Sequence, residues 1–240
     1  MPTSKACRAV FFDVGETLLS PHPSFPDLFA RVLIERGHRV QVSAVEEVFA
    51  RMAPTFAEVI DKHATEPWTV SRESSLKFWG RIYRVALGEL GIGDTDGEIA
   101  RAMYSKFTRY ESYRLFPDVL PVLQTAKQAG LTLGLISNFE EWLEGLLTHM
   151  EVAELFDPVV ISGKVGIEKP DPAIFRLALD QSGADAAESV YVGDHPRIDV
   201  KGAEAVGMGA VLIDRKGRHT GFEGHRISTL DQLLPLLDTT

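Results

Sequence analysis

Short apolar runs recur along the chain, and most of them stop on a polar residue. Ala9-Val10-Phe11-Phe12 runs into Asp13, and Leu131 to Ile136 runs into Ser137-Asn138. Val190-Tyr191-Val192 passes through Gly193 to Asp194, and Ala210 to Ile213 ends on Asp214. A weaker run, Val159-Val160-Ile161, is closed by Ser162-Gly163. Runs this short, rich in β-branched and aromatic residues and bounded by polar ones, read as buried strands. Strands that are apolar on both faces belong to parallel sheets covered by helices.

Helical patterns alternate with these runs. Asp118 to Ala129, closed by Gly130, leads into the second strand. Asn138 with Glu141 three residues on fits a capping box that opens the next helix. Asp171-Pro172 reads as an N-cap followed by proline at the first helical position. This β-α alternation from about residue 113 onward predicts an α/β fold with a doubly wound parallel sheet. Between about 20 and 112 the rhythm breaks. No strand is evident there, and Phe25 to Arg36, Ala44 to Ile60, Arg72 to Leu90 and Asp96 to Tyr110 read as helices. Ser43 with Glu46 and Thr95 with Glu98 fit capping boxes, and Gly37, Gly91 and Gly93 punctuate the helices. The expected organisation is a sheet domain of residues 1–18 and 113–240, with a helical insertion of residues 19–112.

Composition narrows the function classes. With 45% apolar and 25% charged residues, the 240-residue chain matches a globular protein rather than a disordered, collagenous or disulfide-dense one. The net charge of −9 argues against nucleic acid and anionic membranes as partners, since both require a positive footprint. The single cysteine, Cys7, can form neither an internal disulfide nor a zinc cluster and reads as a small packed residue. No apolar run approaches the roughly 20 residues of a membrane helix. The polar stretch Met1 to Cys7 lacks a signal-peptide apolar region, so the expected location is cytoplasmic.

Ligand sites of open parallel sheets lie beyond the carboxyl ends of the strands, at the switch point of the topology. Asp13, Ser137, Asn138 and Asp194 stand at such ends. The competing reading is that each merely caps the next helix, and Asp214 is read that way. The surrounding residues tip the balance. Asp13-Val14-Gly15-Glu16-Thr17-Leu18 follows the first strand and Ser137-Asn138 the second. Lys169 sits in Glu168-Lys169-Pro170-Asp171-Pro172, and Gly193-Asp194 opens a Gly-Asp-x-x-x-x-Asp pattern that ends at Asp199.

In this order the chain resembles the haloacid dehalogenase (HAD) superfamily of hydrolases, over all four of its motifs and essentially the whole length. It looks most like the dehalogenase-like hydrolase domain-containing group. The helical insertion sits where the superfamily carries its first type of cap (C1), and the sheet domain corresponds to its Rossmann-like core. The resemblance implies a phosphatase acting on a small phosphorylated metabolite, with Asp13 as nucleophile forming an aspartyl-phosphate. It implies Mg²⁺ held by the Asp13 carboxylate, the Gly15 carbonyl and Asp194. Ser137, the Asn138 backbone N–H at a helix N-terminus, and Lys169 would bind the phosphoryl group, with Asp199 as an outer orienting carboxylate.

One position departs from the pattern. Phosphatases of the superfamily carry a second Asp, the general acid, where this chain has Gly15. Glu16, His195 and His22 are the candidate surrogates. The departure keeps a second class in play, a regulatory pseudoenzyme that holds phosphate and Mg²⁺ with negligible turnover. The 2-haloacid dehalogenases also lack the second Asp, but they place an aromatic residue there, need no metal and use a cap arginine. Arg31, Arg36, Arg39, Arg51 and Arg72 are candidates for that arginine only by lying in the insertion. The same segment contains Trp68 and Trp79, which read as packing residues or as cleft lining. Linkers near Ser20-Pro21-His22-Pro23 and Ser112 to Phe116 are expected to act as hinges. A receiver domain would need neither the insertion nor the Gly-Asp-x-x-x-x-Asp ending. There is no phosphate-binding glycine loop and no Gly-x-Ser-x-Gly elbow.

Overall fold

A computed structural model describes residues 7–62 and 67–237, leaving aside the side chains of residues 54–62. The stretch before Cys7 lies outside the described residues. The chain forms two compact units, one of Met1–Leu19 with Leu115–Thr240 and one of Ser20–Arg114.

Among the described residues eight strands form: β1 (Ala9–Phe12), β2 (Leu19–Pro21), β3 (Tyr113–Leu115), β4 (Thr132–Ser137), β5 (Val159–Ile161), β6 (Ser189–Gly193), β7 (Gly209–Ile213) and β8 (Arg226–Ile227). Six of them build one sheet in the order β5-β4-β1-β6-β7-β8, with every pair parallel. This is the doubly wound α/β sheet that the alternation predicts. All of β1 and β6 is buried, which is why their sequences show no polar alternation. On one face Phe11 and Tyr191 join Ile174, Phe175 and Ala178 in a single cluster.

The insertion holds α1 (Phe25–Glu35), α2 (Val42–Lys62), α3 (Arg72–Glu89) and α4 (Glu98–Phe107). Leu28, Phe29, Leu33, Tyr83, Met103 and Phe107 form its core. Ser24 caps α1, accepting from the Asp27 N–H, and Ser71 with Ser74 forms the capping box of α3. The two boxes predicted here do not form. Helix α2 begins at Val42, so Ser43 lies inside it. At α4 the Asp94 carboxylate, not Thr95, accepts from the N–H groups of Ile99 and Ala100. The insertion is also bordered by a two-stranded β2-β3 ribbon that hydropathy does not reveal. Its strands are three residues each and half polar.

The remaining helices include α5 (Val119–Gln128), α6 (Leu143–His149), α7 (Ser162–Val165) and α8 (Pro172–Ser182). Asp171 caps α8, accepting from the Ala173 N–H, with Pro172 at the first position as expected. Asn138 opens no helix, because α6 begins only at Leu143. The intervening chain is held elsewhere: the Phe139 N–H donates to Ser162 Oγ, while its carbonyl accepts from Ser162 Oγ and the Gly163 N–H. Among the described residues, no helix is long and apolar enough to cross a membrane.

Asp214 likewise caps no helix. It pins the loop after β7, accepting from the N–H groups of Arg218 and His219 and from Arg226 Nη1 at 2.8–3.0 Å. Burial pushes its carboxyl up, but these donors outweigh it and the net shift is downward. A carboxyl depressed in the folded state stabilises above its unfolded pKa, and that contribution fades as pH falls through the folded value. Asp214→Ala is therefore expected to cost about 2 kcal/mol at pH 7. In urea titrations repeated down to pH 3 the deficit should shrink. A deficit that grows in acid would contradict this account.

Candidate active site

Sheet register assembles the site. Phe12 is level with Leu135 on one side and Val192 on the other. The residues that follow, Asp13, Ser137 and Asp194, therefore emerge together at the carboxyl ends of β1, β4 and β6. The Asp13 N–H is tied to the Val192 carbonyl at 2.9 Å.

Lys169 lies at the centre. Its ammonium donates to Asp13 Oδ1, Asp199 Oδ1 and the Tyr191 hydroxyl, each at 2.7 Å, using all three of its protons. The side chain is only 2% exposed. Burial pushes the ammonium pKa down, but Asp13 and Asp199 outweigh it and the net shift is upward, so the lysine stays charged. Asn138 positions Lys169 through the backbone. Its Nδ2 donates to the Lys169 carbonyl at 2.9 Å, and its Oδ1 accepts the Lys169 N–H at 2.7 Å. The helix N-terminus expected at Asn138 is absent; its side chain instead links the end of β4 to the lysine.

Asp199 sits in a π-helical turn, Pro196–Lys201. Its Oδ2 accepts the His195 N–H at 2.9 Å, so both oxygens are committed. Only glycine fits beneath it. A Cβ on Gly193 would lie 2.6 Å from Asp199 Cβ and Oδ2 and closer still to its Cγ, inside any van der Waals contact.

Asp13 Oδ1 also accepts from Ser137 Oγ, and its Oδ2 from Thr17 Oγ1, both at 3.3 Å. Burial raises the Asp13 carboxyl, Lys169 opposes this, and Asp199 adds to it, leaving a net upward shift. Asp13, Asp194 and Asp199 each bring a carboxylate oxygen within 4.8 Å of the others. Three carboxylates thus cluster around one ammonium, which pairs with two of them, Asp13 and Asp199. Asp194 has no hydrogen-bond donor among the described residues, and burial, then Asp13, Asp199 and Glu16, pushes its carboxyl well up. An all-oxygen donor set with excess negative charge suits a hard divalent cation.

The loop after Asp13 folds on itself. The Leu18 and Leu19 N–H groups reach the Val14 carbonyl, and the Glu16 N–H reaches the Leu19 carbonyl. Gly15 has open space where a Cβ would lie and does not adopt a left-handed backbone. That conformation falls on Glu16 instead, at φ 55°. The Glu16 carboxylate lies 2.6 Å from Lys216 Nζ. His195 Nδ1 accepts from the Arg197 and Ile198 N–H groups and caps the π turn. His22 is exposed in the inserted unit, as are Arg31, Arg39 and Arg72. Arg36 pairs with Glu98 and Arg51 with Glu89. Trp68 stacks on Phe78 at 4.2 Å and Trp79 on Tyr83 at 5.8 Å, both as packing residues of that unit.

Two contributors escape the sequence reading. Thr17 is quoted there only as part of a motif, and Tyr191 is indistinguishable from any strand aromatic. The Tyr191 hydroxyl lies 2.8 Å from the Ile136 carbonyl and 3.2 Å from Asp199 Oδ1, placing the lysine's partner against the end of β4.

A family model described as haloacid dehalogenase-like hydrolase matches residues 7–207. The chain is 28% identical over 232 residues to haloacid dehalogenase-like hydrolase domain-containing protein 3 of Danio rerio, covering 94% of each. It is 34% identical over 225 residues to a phosphoserine phosphatase of Thermus thermophilus, covering 87% of this chain and 89% of the relative. Among solved structures, the HAD-hydrolase YfnB of Bacillus subtilis superposes with a TM-score of 0.77 at 15% identity, covering 98% of this chain and all of YfnB.

Tyr191→Phe removes one acceptor from the buried ammonium and leaves the Ile136 carbonyl without its donor. It is expected to cost about 1–3 kcal/mol in chemical denaturation. A change below about 0.5 kcal/mol would show that the hydroxyl is not part of the lysine's support.

Proposed function

Because the chain belongs to the haloacid dehalogenase-like hydrolases, we propose that it is a Mg²⁺-dependent phosphatase of small phosphorylated metabolites, working through an aspartyl-phosphate at Asp13. The observation that carries this reading is the buried Lys169 ammonium shared by Asp13 and Asp199, with the donorless Asp194 carboxylate beside them. A relative named as a phosphoserine phosphatase supports the same substrate class.

In this reading an Asp13 carboxylate oxygen attacks phosphorus as the bond to the leaving oxygen breaks. Water then attacks the acyl phosphate, releasing inorganic phosphate and the Asp13 carboxylate. Lys169 neutralises Asp13 in the resting site and the transferring group afterwards. The Ser137 hydroxyl turns from Asp13 to a phosphoryl oxygen, joined by the Asn138 N–H. Asp199 holds Lys169 and the π turn in place. Asp13, the Gly15 carbonyl and Asp194 would hold Mg²⁺, which supplies charge neutralisation for the phosphate dianion. The Ser20–Arg114 unit corresponds to the family's cap in this reading.

The leaving group's proton is the weak point. Gly15 has no side chain, Glu16 is paired with Lys216, and the His195 Nδ1 is occupied. The activity should therefore favour esters that depart without a proton, such as acetyl phosphate and p-nitrophenyl phosphate. The same feature favours a second reading, a phosphate- and Mg²⁺-binding regulator with negligible turnover. Retention of Asp194 and the absence of an aromatic residue at Gly15 count against a 2-haloacid dehalogenase.

Both activated esters should be hydrolysed with Mg²⁺, and Asp13→Asn should abolish this with the fold intact. No turnover on either ester, with phosphate binding preserved in calorimetry, would favour the regulator. Gly15→Asp is sterically open and should raise kcat on alkyl phosphates about 10- to 10³-fold, with a smaller gain on activated esters. Equal gains on both classes would mean that Gly15 does not stand in for the missing acid.

The metal assignment has its own measurement. In calorimetric titration with Mg²⁺, Asp194→Ala should lose most of the affinity and Asp214→Ala almost none. Equal losses would place the cation elsewhere.

A further inference from the structure

The nucleophile's loop is held from outside by two consecutive residues at the end of β7. Arg215 Nε and Nη2 both donate to the Thr17 carbonyl, at 3.0 and 2.9 Å. Its Nη1 donates to Asp118 Oδ2 at 3.0 Å, and its guanidinium lies 3.9 Å from the Phe116 ring centre. The side chain is 9% exposed. Asp118 Oδ2 also accepts the Leu230 N–H at 2.6 Å, which fixes the anion that neutralises the guanidinium. The neighbour, Lys216, pairs with Glu16. A planar fork, fully charged and stacked on an aromatic face, is what a lysine at position 215 could not reproduce.

The target of this grip matters. Thr17 is completely buried, and its hydroxyl donates to Asp13 Oδ2. Its carbonyl, held by Arg215, is in the same residue. The grip therefore acts one residue from the strained Glu16 and one hydrogen bond from the proposed nucleophile. Phe116 and Asp118 lie just where the chain re-enters the sheet unit at Leu115. Arg215 thus ties the loop that leaves β1 to the segment that returns to the sheet.

We infer that Arg215 is a positioning residue for Asp13: it fixes the Thr17 carbonyl, and through Thr17 Oγ1 the orientation of the Asp13 carboxylate, while Lys216 restrains Glu16. The inference rests on the phosphatase reading for its catalytic consequence, but the restraint on the loop does not. Misplacing an attacking group by about 1 Å costs on the order of a hundredfold. Losing the fork should therefore lower kcat while leaving phosphate binding at Ser137 and Lys169 nearly unchanged.

The test compares wild type, Arg215→Ala and Arg215→Lys with acetyl phosphate as substrate, together with amide hydrogen exchange of the same proteins. Arg215→Ala should lose about 10- to 100-fold in kcat with KM within about threefold. Millimolar guanidinium should restore part of the loss, and methylammonium should not. Arg215→Lys should recover only part of the loss. Exchange over residues 14–19 should accelerate by at least about tenfold in Arg215→Ala, while β4 and β6 stay protected. Unchanged kcat in a folded Arg215→Ala, failure of guanidinium to rescue, or acceleration spread evenly over the sheet would overturn the inference. A silent wild type would sink the phosphatase reading instead, and exchange at residues 14–19 would then decide the loop restraint alone.

Discussion

The structure is organised around one ammonium group. Lys169 is buried, and a buried charge survives only where partners satisfy it. Asp13, Asp199 and Tyr191 meet that need from three different elements. Removing a partner from such a group typically costs about 3–5 kcal/mol, because the remaining charge is left unpaired. The same arrangement that stabilises the lysine aligns the carboxylates. Asn138, Gly193 and the π turn at Pro196–Lys201 all serve it: one grips the lysine backbone, one makes room for Asp199, and one places that aspartate five residues after Asp194.

Charge explains the rest of the site. One ammonium does not neutralise Asp13, Asp194 and Asp199 together, and burial with the neighbouring carboxylates pushes the Asp194 carboxyl well up. A site with surplus carboxylates and only oxygen donors suits a hard cation. The lysine orients Asp13 and Asp199 through its hydrogen bonds.

The loop between Asp13 and Leu19 shows how backbone strain and polar contacts are distributed around the site. The left-handed conformation falls on Glu16 rather than on the adjacent Gly15. A non-glycine residue there is disfavoured and persists because its neighbours hold it, through the Leu19 carbonyl on its N–H and Lys216 on its carboxylate. Gly15 is thus not required by backbone conformation. Its lack of a side chain is a chemical feature of the site, not a geometric necessity of the turn.

The sequence by itself determined the sheet, the helical insertion and the motif residues, because each depends on local pattern. Short apolar runs ending in Asp or Ser mark strand ends wherever they are paired, and Asp171-Pro172 starts a helix without tertiary help. Hydrophobic burial fixes those choices residue by residue. What only the tertiary structure decided were the polar partnerships across long separations. Asn138 looks like a helix cap, yet its amide serves Lys169, 31 residues away. Thr95 looks like a cap, yet Asp94 does the work. Tyr191 reads as one more strand aromatic, and no motif singles out Arg215. Their roles follow from which buried donors and acceptors lack a partner once the chain has packed. That is a property of the assembled interior, where an unsatisfied polar group is costly, and it leaves no periodic trace in the sequence.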